Sequence, residues 1–543
     1  MKKLFFIILF ILENNPKSDS QVLPLWQVSF NDSIPETNYS DKSKLDNEGN
    51  IIIVADGTNG SGTGTDYIII KYNPLGVKLW NRRFSGTGNN SDYPRDLVID
   101  RYNNIYVTGR SWGGATRNDY LTLKYNPEGN LLWSRRFDGL VSRNDEAYAM
   151  ALDSNENVYV TGFASYDYSN GHELSEMLTV KYNTLGNQIW VRGFRGLSDQ
   201  IDWGYSIVCD RKNNAIVSGF TYSSNLNFTD IVSIKYDSSG NDLWQRRFYN
   251  NGDDFIRPLF SIVDANDNLI VVSYYKGESN LMDYLTYKYD SSGNLLWSNT
   301  FDGERLNDWV EDVVIDIDNN IYVTGSCAYN ITGFDYLTIK YSPLGQEMWH
   351  NRINDSADVN GFSGDLAAAM AIDNYGNLLV FGRSIFWEYY GSVLLYNSKG
   401  NLIYKFKNYN FQTAISILSD KQNNILINGV TGSKIFTAKY LNIISGINYQ
   451  NSELDKFSTL YQNYPNPFNP STALKFKISS PGFVSLKVYD ILGKEIKTLV
   501  YENKSAGDNE IKFDGSNFGS GIYYYSLCIN NILIDTKRMI LLK

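Results

Sequence analysis

The chain has 543 residues, of which 43% are apolar and 15% aromatic, with 41 Tyr, 11 Trp and 43 Gly. A net charge of −10 offers no basic face for phosphate recognition and argues against a nucleic-acid partner. Three cysteines, Cys209, Cys327 and Cys528, give neither a disulfide framework nor a metal-type spacing.

The chain opens on MKKLFFIILFIL, two lysines followed by nine apolar residues from Leu4 to Leu12. That run is too short to span a bilayer and fits a secretory signal over residues 1–20, with cleavage between Ser20 and Gln21. No later segment has the length and apolarity of a transmembrane helix, so the reading is an exported protein without a transmembrane segment.

From there a repeat dominates. A strand ending in Lys-Tyr, a turn carrying Gly and a strand carrying Trp recur with Gly four residues before Trp: Gly76/Trp80, Gly129/Trp133, Gly186/Trp190, Gly240/Trp244, Gly293/Trp297 and Gly345/Trp349. A weaker copy has Gly400 before Tyr404. The Trp positions lie about 54 residues apart, the signature of a repeat architecture. Each copy holds four strand-like runs rich in Val, Ile, Tyr and Thr; the second copy reads DLVID, NIYVTG, DYLTLKY and LLWSRRF. A lone four-stranded sheet leaves a face exposed, and radial stacking of such sheets buries both, so the expected fold is an all-β β-propeller over residues 21–442.

The portion from first to third strand occurs eight times, anchored by Asn50, Asn104, Asn157, Asn214, Asn268, Asn320, Asn377 and Asn424. The last lacks a fourth strand, and Leu23 to Phe30 looks like a fourth strand with nothing before it. The expectation is an eight-bladed propeller closed by the N-terminal strand, with seven blades as the alternative. Turns between first and second strands (Asp-x-x-x-Asn) and between third and fourth (NPLG, NPEG, DSSG) keep constant length, whereas the other loops vary. In a meander, turns of one parity share a face, so one face is regular and the variable one is where binding is built.

After a polar linker, 443–458, residues 459–543 carry about six alternating strands, which suits a small Ig-like β-sandwich. This stretch includes LYQNYPNPFNPST (Leu460 to Thr472), VSLKVYDILGKEIKTLV, FDGSNFGSGIYYYSL and the ending KRMILLK. It resembles the type A C-terminal sorting domain of the type IX (Por) secretion system, with the motif Pro465, Asn466, Pro467, Phe468, Asn469 and Pro470. The resemblance implies export by Sec, engagement of the type IX secretion machinery, and release at or attachment to the outer surface of a Gram-negative-type outer membrane. The repeats resemble the SBBP bacterial β-propeller family, which implies a propeller and no particular activity.

An acid eight residues before the first-turn Asp enters five of the first strands from the variable face, Asp92, Asp145, Asp202, Asp308 and Asp365, with Asn38, Ile256 and Gln412 in its place in the first, fifth and eighth copies. Ringed around the mouth of a channel, these acids would bind a cation or polar ligand; alternatively each bonds backbone amides of the adjoining blade. Variable-face aromatics, among them Tyr93, Trp112, Trp203, Trp309 and Trp387, suit sugars and protein partners alike. Asp316 and Asp264 open runs similar to a calcium loop, but without its Gly and distal Glu they read as Asx turns. No cofactor, catalytic triad or metal-histidine set emerges. Two functions follow: a secreted or surface-displayed propeller binding a protein or glycan, or a polysaccharide hydrolase or lyase with carboxylates at the channel mouth.

Overall fold

The computed structural model describes residues 24–30, 39–58, 64–86, 90–169, 172–196, 201–222, 229–249, 257–276, 281–303, 306–329, 333–355, 364–385, 389–432, 434–441, 458–479, 481–490, 495–529 and 532–543. The signal segment with Ser20 and Gln21, Trp387, and the linker up to residue 457 lie outside them. Apart from one short 3-10 turn at Gly114–Thr116, every regular element among the described residues is a strand. The chain divides into two compact units, Met1–Tyr440 and Leu441–Lys543.

In the first unit, strands pair in sequence order as antiparallel meanders. Tyr93–Ile99, Ile105–Trp112, Asn118–Tyr125 and Leu131–Phe137 are representative. Two further meanders meet in one eight-stranded sheet through a single parallel pairing, Phe334 with Gly364. The middle strands Ile105–Trp112 and Asn118–Tyr125 are covered on both faces, and polar residues within them bond internally, as Thr108 and Thr122 do to each other (3.1 Å). The outer strand Leu131–Phe137 is exposed at its start and buries Trp133.

The first turn closes on itself. Asp100 Oδ1 accepts the amides of Tyr102 (2.9 Å) and Asn104 (2.8 Å), and Asn104 Nδ2 donates to Asp100 Oδ2 (2.7 Å). Asp264 and Asp316 make the same bonds within their own turns, so the calcium-like spelling there serves turn geometry. Each first strand carries a register shift, between Pro94 and Asp96 in the second copy. Opposite it, a Cβ on Gly109 would lie 2.1 Å from Tyr93 O and 2.6 Å from the Tyr67 hydroxyl, which accounts for the glycine in V-T-G.

Neighbouring sheets are fastened by one recurring device. Trp80 Nε1 and Lys71 Nζ both donate to Pro127 O in the next sheet's turn (3.0 and 3.2 Å). Trp133 and Lys124 meet on Thr184 O, Trp190 and Lys181 on Ser238 O, and Trp244 and Lys235 on Ser291 O. The Trp ring lies against the turn glycine: at Gly129, whose φ is +80, a Cβ would come within 2.8 Å of Trp80. The same lysines also pair with the first-turn aspartates, as in Lys235–Asp210 and Lys288–Asp264, both 2.8 Å and almost wholly buried. The arginine pairs divide their work, and only one of each pair holds the acid at the start of the third strand. Arg83 and Arg136 do so, through Asp66 (2.7 Å) and Asp119 (2.9 Å), whereas Arg82 and Arg135 donate to turn-glycine carbonyls of the next sheet.

Trp26–Phe30 pairs antiparallel with Lys434–Tyr440, completing a sheet with Thr413–Ser419 and Ile425–Thr431. Trp26 Nε1 and Lys439 Nζ both donate to Pro74 O in the first sheet (3.0 and 3.3 Å). A shared core cluster unites Phe30, Leu426 and Ile435 with Ile51, Ile53 and Ile68.

The second unit has two sheets. Thr459–Leu460, Ser471–Ile478 and Gly507–Asp514 form one, and Glu495–Lys504, Gly482–Tyr489, Gly521–Ile529 and Ile532–Leu541 the other. Their inner faces share a core of Leu474, Phe476, Val484, Leu486, Phe513, Tyr525 and Leu527.

Candidate functional site

Asp92, Asp145, Asp202, Asp308 and Asp365 occupy one structural position, and none lines an open channel mouth. Each is at most 1% exposed and sits where its strand begins or just before it. Asp92 accepts the amides of Gly86 (2.6 Å) and Trp112 (3.1 Å). Asp145 accepts those of Gly139 and Ser165, Asp202 that of Gly196, Asp308 those of Gly303 and Ala328, and Asp365 that of Asp355. These carboxylates clamp the link from the preceding sheet to the second strand of their own. In the eighth copy Gln412 takes over, its Oε1 accepting the Gly432 amide at 2.7 Å. Burial is the main force on the protonation of three of them: it pushes Asp145 up to about 7 and Asp202 and Asp308 to about 6, with hydrogen bonds to the carboxyls pulling the other way.

That shift sets a pH dependence. A carboxyl whose folded pKa lies above its unfolded value gives its full stability below about 3.9 and loses it as pH rises through the folded value. For Asp145 and Asp202 the loss falls between about pH 4 and 7. Calorimetry is expected to show the repeat unit melting a few degrees higher at pH 5.5 than at pH 7.5, with the difference shrinking in the double variant Asp145→Asn/Asp202→Asn.

The structure does bring two of the sequence candidates together. Asp145 and Trp203 line a cavity of about 400 Å³, with Arg95, Arg110, Asn118, Asn144, Glu146, Tyr148, Phe163, Ser175 and Ile201. Its wall is aromatic: Trp203 stacks on Phe163 (centroids 4.7 Å apart, 19° between planes) and Tyr148 on Tyr205 (4.9 Å, 13°). Trp203 Nε1 is fixed by Ser175 Oγ at 2.9 Å. Glu146, 4% exposed, holds Arg95 Nε at 2.7 Å and Arg110 Nη1 at 2.9 Å. Arg110 also lies over the Tyr93 ring, 4.6 Å from its centroid, and its Nε has no hydrogen-bond partner. Two guanidiniums outnumber the one acid they share, Glu146, which leaves the cavity positive while Asp145 is protonated.

Tyr93 meets the cavity only as the ring beneath Arg110, and the other candidates are not among its lining residues. Trp112 is half-buried, and Trp309, 41% exposed, stacks on Phe334 at 5.1 Å. Arg95, Arg110, Glu146 and Tyr148 escaped the sequence reading because they break the repeat, and departure from the repeat was the signal that would have found them.

The motif of the second unit is built into its core. Phe468 is 2% exposed and exchanges backbone bonds with the final strand, its amide donating to Ile540 O and its carbonyl accepting from Leu542 N. Asn466 Oδ1 accepts the Ile540 amide at 2.9 Å. Pro465, Pro467, Asn469 and Pro470 are exposed, and each of the three prolines follows a cis peptide bond.

Comparison with known proteins fits this division. Residues 462–541 match the family model of a secretion system C-terminal sorting domain, and residues 80–114 match that of a beta-propeller repeat. An uncharacterized WD repeat-containing protein of Acanthamoeba polyphaga mimivirus is 26% identical over 311 residues, covering 41% of this chain. The chain spans only 22% of that relative's length. Among solved structures, the WD40 domain of SCAP from fission yeast aligns with a TM-score of 0.42 at 10% identity, over 77% of this chain and 98% of that one. The beta-propeller domain of the Trilobed protease from Pyrococcus furiosus gives 0.40 at 11% identity, over 70% and 98%. A catalytically inactive virginiamycin B lyase from Staphylococcus aureus gives 0.40 at 10%, over 77% and 99%.

Proposed function

We propose that this chain, which carries a secretion-system sorting domain, is an exported binding protein whose eight-bladed propeller takes an acidic glycan in the cavity of Arg95, Arg110 and Trp203. The domain limits are those read from the sequence: a signal at 1–20, the propeller at 21–442, a linker at 443–458 and the sorting domain at 459–543. Passage through the type IX machinery leaves the protein at or beyond the outer surface. What supports eight blades closed by the N-terminal strand is that Trp26 and Lys439 share Pro74 O, as Trp80 and Lys71 share Pro127 O.

The observation that carries the binding reading is the pair of guanidiniums, one with an unsatisfied Nε, beside stacked aromatic rings. Rings offer flat apolar faces to sugar C–H groups, and arginine holds carboxylate or sulfate in a bidentate fork. The recurrence of the buried clamp aspartates in equivalent settings favours a scaffold over an active site, since a site breaks symmetry. A polysaccharide-cleaving alternative rests on Asp145, held near pH 7 in the cavity wall beside Glu146.

The test is a glycan array on the purified full chain, followed by titration calorimetry with the best acidic oligosaccharide. Arg110→Ala and Trp203→Ala are each expected to weaken binding about 10- to 100-fold, the equivalent of one charge-assisted bond or one stacking platform. Binding unchanged in both variants would sink the reading. Release of shortened oligosaccharides, abolished by Asp145→Asn, would establish the cleaving alternative.

A further inference from the structure

The acid that opens the third strand has a basic partner in most copies. Asp66 pairs with Arg83 (2.7 Å), Asp119 with Arg136 (2.9 Å), Glu176 with Arg195 (2.8 Å), Asp230 with Arg247 (3.5 Å) and Asp335 with Arg352 (3.3 Å). The fifth copy departs from this. Thr300 stands opposite Leu285, in the register position that Arg136 holds opposite Leu121. Asp283 is 4% exposed, its Oδ1 accepts no hydrogen bond, and no basic side chain among the described residues pairs with it.

In place of the lost cation stand two more acids. One carboxylate oxygen from each of Asp283, Asp302 and Asp308 lies within 4.8 Å of the other two. Asp308 is fixed by the Gly303 amide (2.8 Å) and Asp302 is exposed, so the cluster has a rigid inner part and an outer part open to solvent. Three carboxylates at the end of a covered strand repel one another and are costly to ionise together without a counter-charge. Donors at opposite poles of a calcium ion, bound at about 2.4 Å, stand about 4.8 Å apart, so the three oxygens fit around one such ion with places left for water. A magnesium ion, with ligands at about 2.1 Å, requires a tighter and more regular set.

A built-in contrast exists three copies earlier. Asp119, Asp138 and Asp145 form an equivalent cluster, but there Asp119 Oδ2 already receives Arg136 Nη1 (2.9 Å) and Thr116 Oγ1 (2.8 Å).

We infer that Asp283, Asp302 and Asp308 form a calcium site where the arginine of the other copies is replaced by Thr300.

The test uses the full chain stripped with EDTA, read by melting temperature and by terbium luminescence, which Tyr284 and Trp309 are placed to sensitise. Calcium is expected to raise the melting temperature by a few degrees, with magnesium at equal concentration doing less. Asp283→Asn is expected to weaken calcium binding about tenfold or more, and Asp119→Asn to leave it unchanged. Thr300→Arg restores the arrangement of the other copies; it is expected to fold, to melt higher than wild type in EDTA, and to lose the calcium response. No calcium response in the wild type, or a response that survives both Asp283→Asn and Thr300→Arg, overturns the inference, as does a response lost only in Asp119→Asn. The glycan titration reads a different set of residues, so the two proposals fail separately.

Discussion

A chain beginning at Asn31 is expected to lose the cooperative unfolding of its repeat unit and to aggregate at concentrations where the full chain stays monomeric. Without Trp26–Phe30 the strand Lys434–Tyr440 becomes an open edge, with a row of unpaired amides and carbonyls ready to pair with another chain. The cluster that joins Phe30 to Ile51 and Ile53 opens at the same time, and Pro74 O loses one of its two donors. Trp26→Ala isolates the side chain; it is expected to cost about 2–3 kcal/mol, below the 3–5 of a fully enclosed aromatic because its ring is partly exposed. Denaturant titration followed by circular dichroism measures both. A synthetic peptide of residues 23–30 added in trans is expected to restore the midpoint of the shortened chain in a concentration-dependent way, as any ligand of the native state does. An unchanged midpoint in the shortened chain would count against ring closure by this strand.

Lys235→Met is expected to destabilise the repeat unit by about 3–5 kcal/mol, because it leaves a buried aspartate without its cation. Lys235 and Asp210 are 4% and 0% exposed at the side chain and 2.8 Å apart, and Lys235 Nζ also donates to Ser291 O in the next sheet. Bonds from Lys235 and Asn214 hold the Asp210 carboxyl below its usual range against the opposing effect of burial. A lowered folded pKa gives stability above about 3.9 that is lost as pH falls through the folded value, so the variant is expected to forfeit that acid-side dependence. Adding Asp210→Asn to Lys235→Met is expected to recover part of the loss. Equal stability of the single and double variants would show that the lysine acts through Ser291 O alone.

The sequence exposed the architecture because its most regular features are local. Asp100 and Asn104 lie in one turn, so their chemistry is readable from spacing alone, whereas Gly129 and Trp133 mark a turn by spacing but pack across sheet boundaries, on Trp80 and Gly186. The Lys-Tyr signature was equally visible as a marker, but its partners were not: Lys235 reaches back to Asp210 and forward to Ser291, across a strand pairing and a sheet boundary. The repeated acids show the same limit. Their recurrence at Asp92, Asp145 and Asp202 was plain, yet whether they face solvent or amides depends on how each link folds back, and the amides take them. The cavity was half legible, through Asp145 and Trp203, because Arg95 and Arg110 belong to a neighbouring sheet and carry no motif. Thr300 was invisible for the opposite reason: an absence stands out only once the arginines around it have been placed.

The pairing of Trp26–Phe30 with Lys434–Tyr440 also sets an order in time. Trp26–Phe30 leaves the ribosome about 400 residues ahead of its partner, which at 5–20 residues per second is a wait of roughly 20–80 s. Over that interval each newly made sheet brings its turn to the Trp and Lys of its predecessor, already in place, while the opening strand has nothing to pair with. Folding of the array is therefore progressive and its completion a single late event, so a chain halted anywhere before Tyr440 keeps an unsatisfied strand at its head.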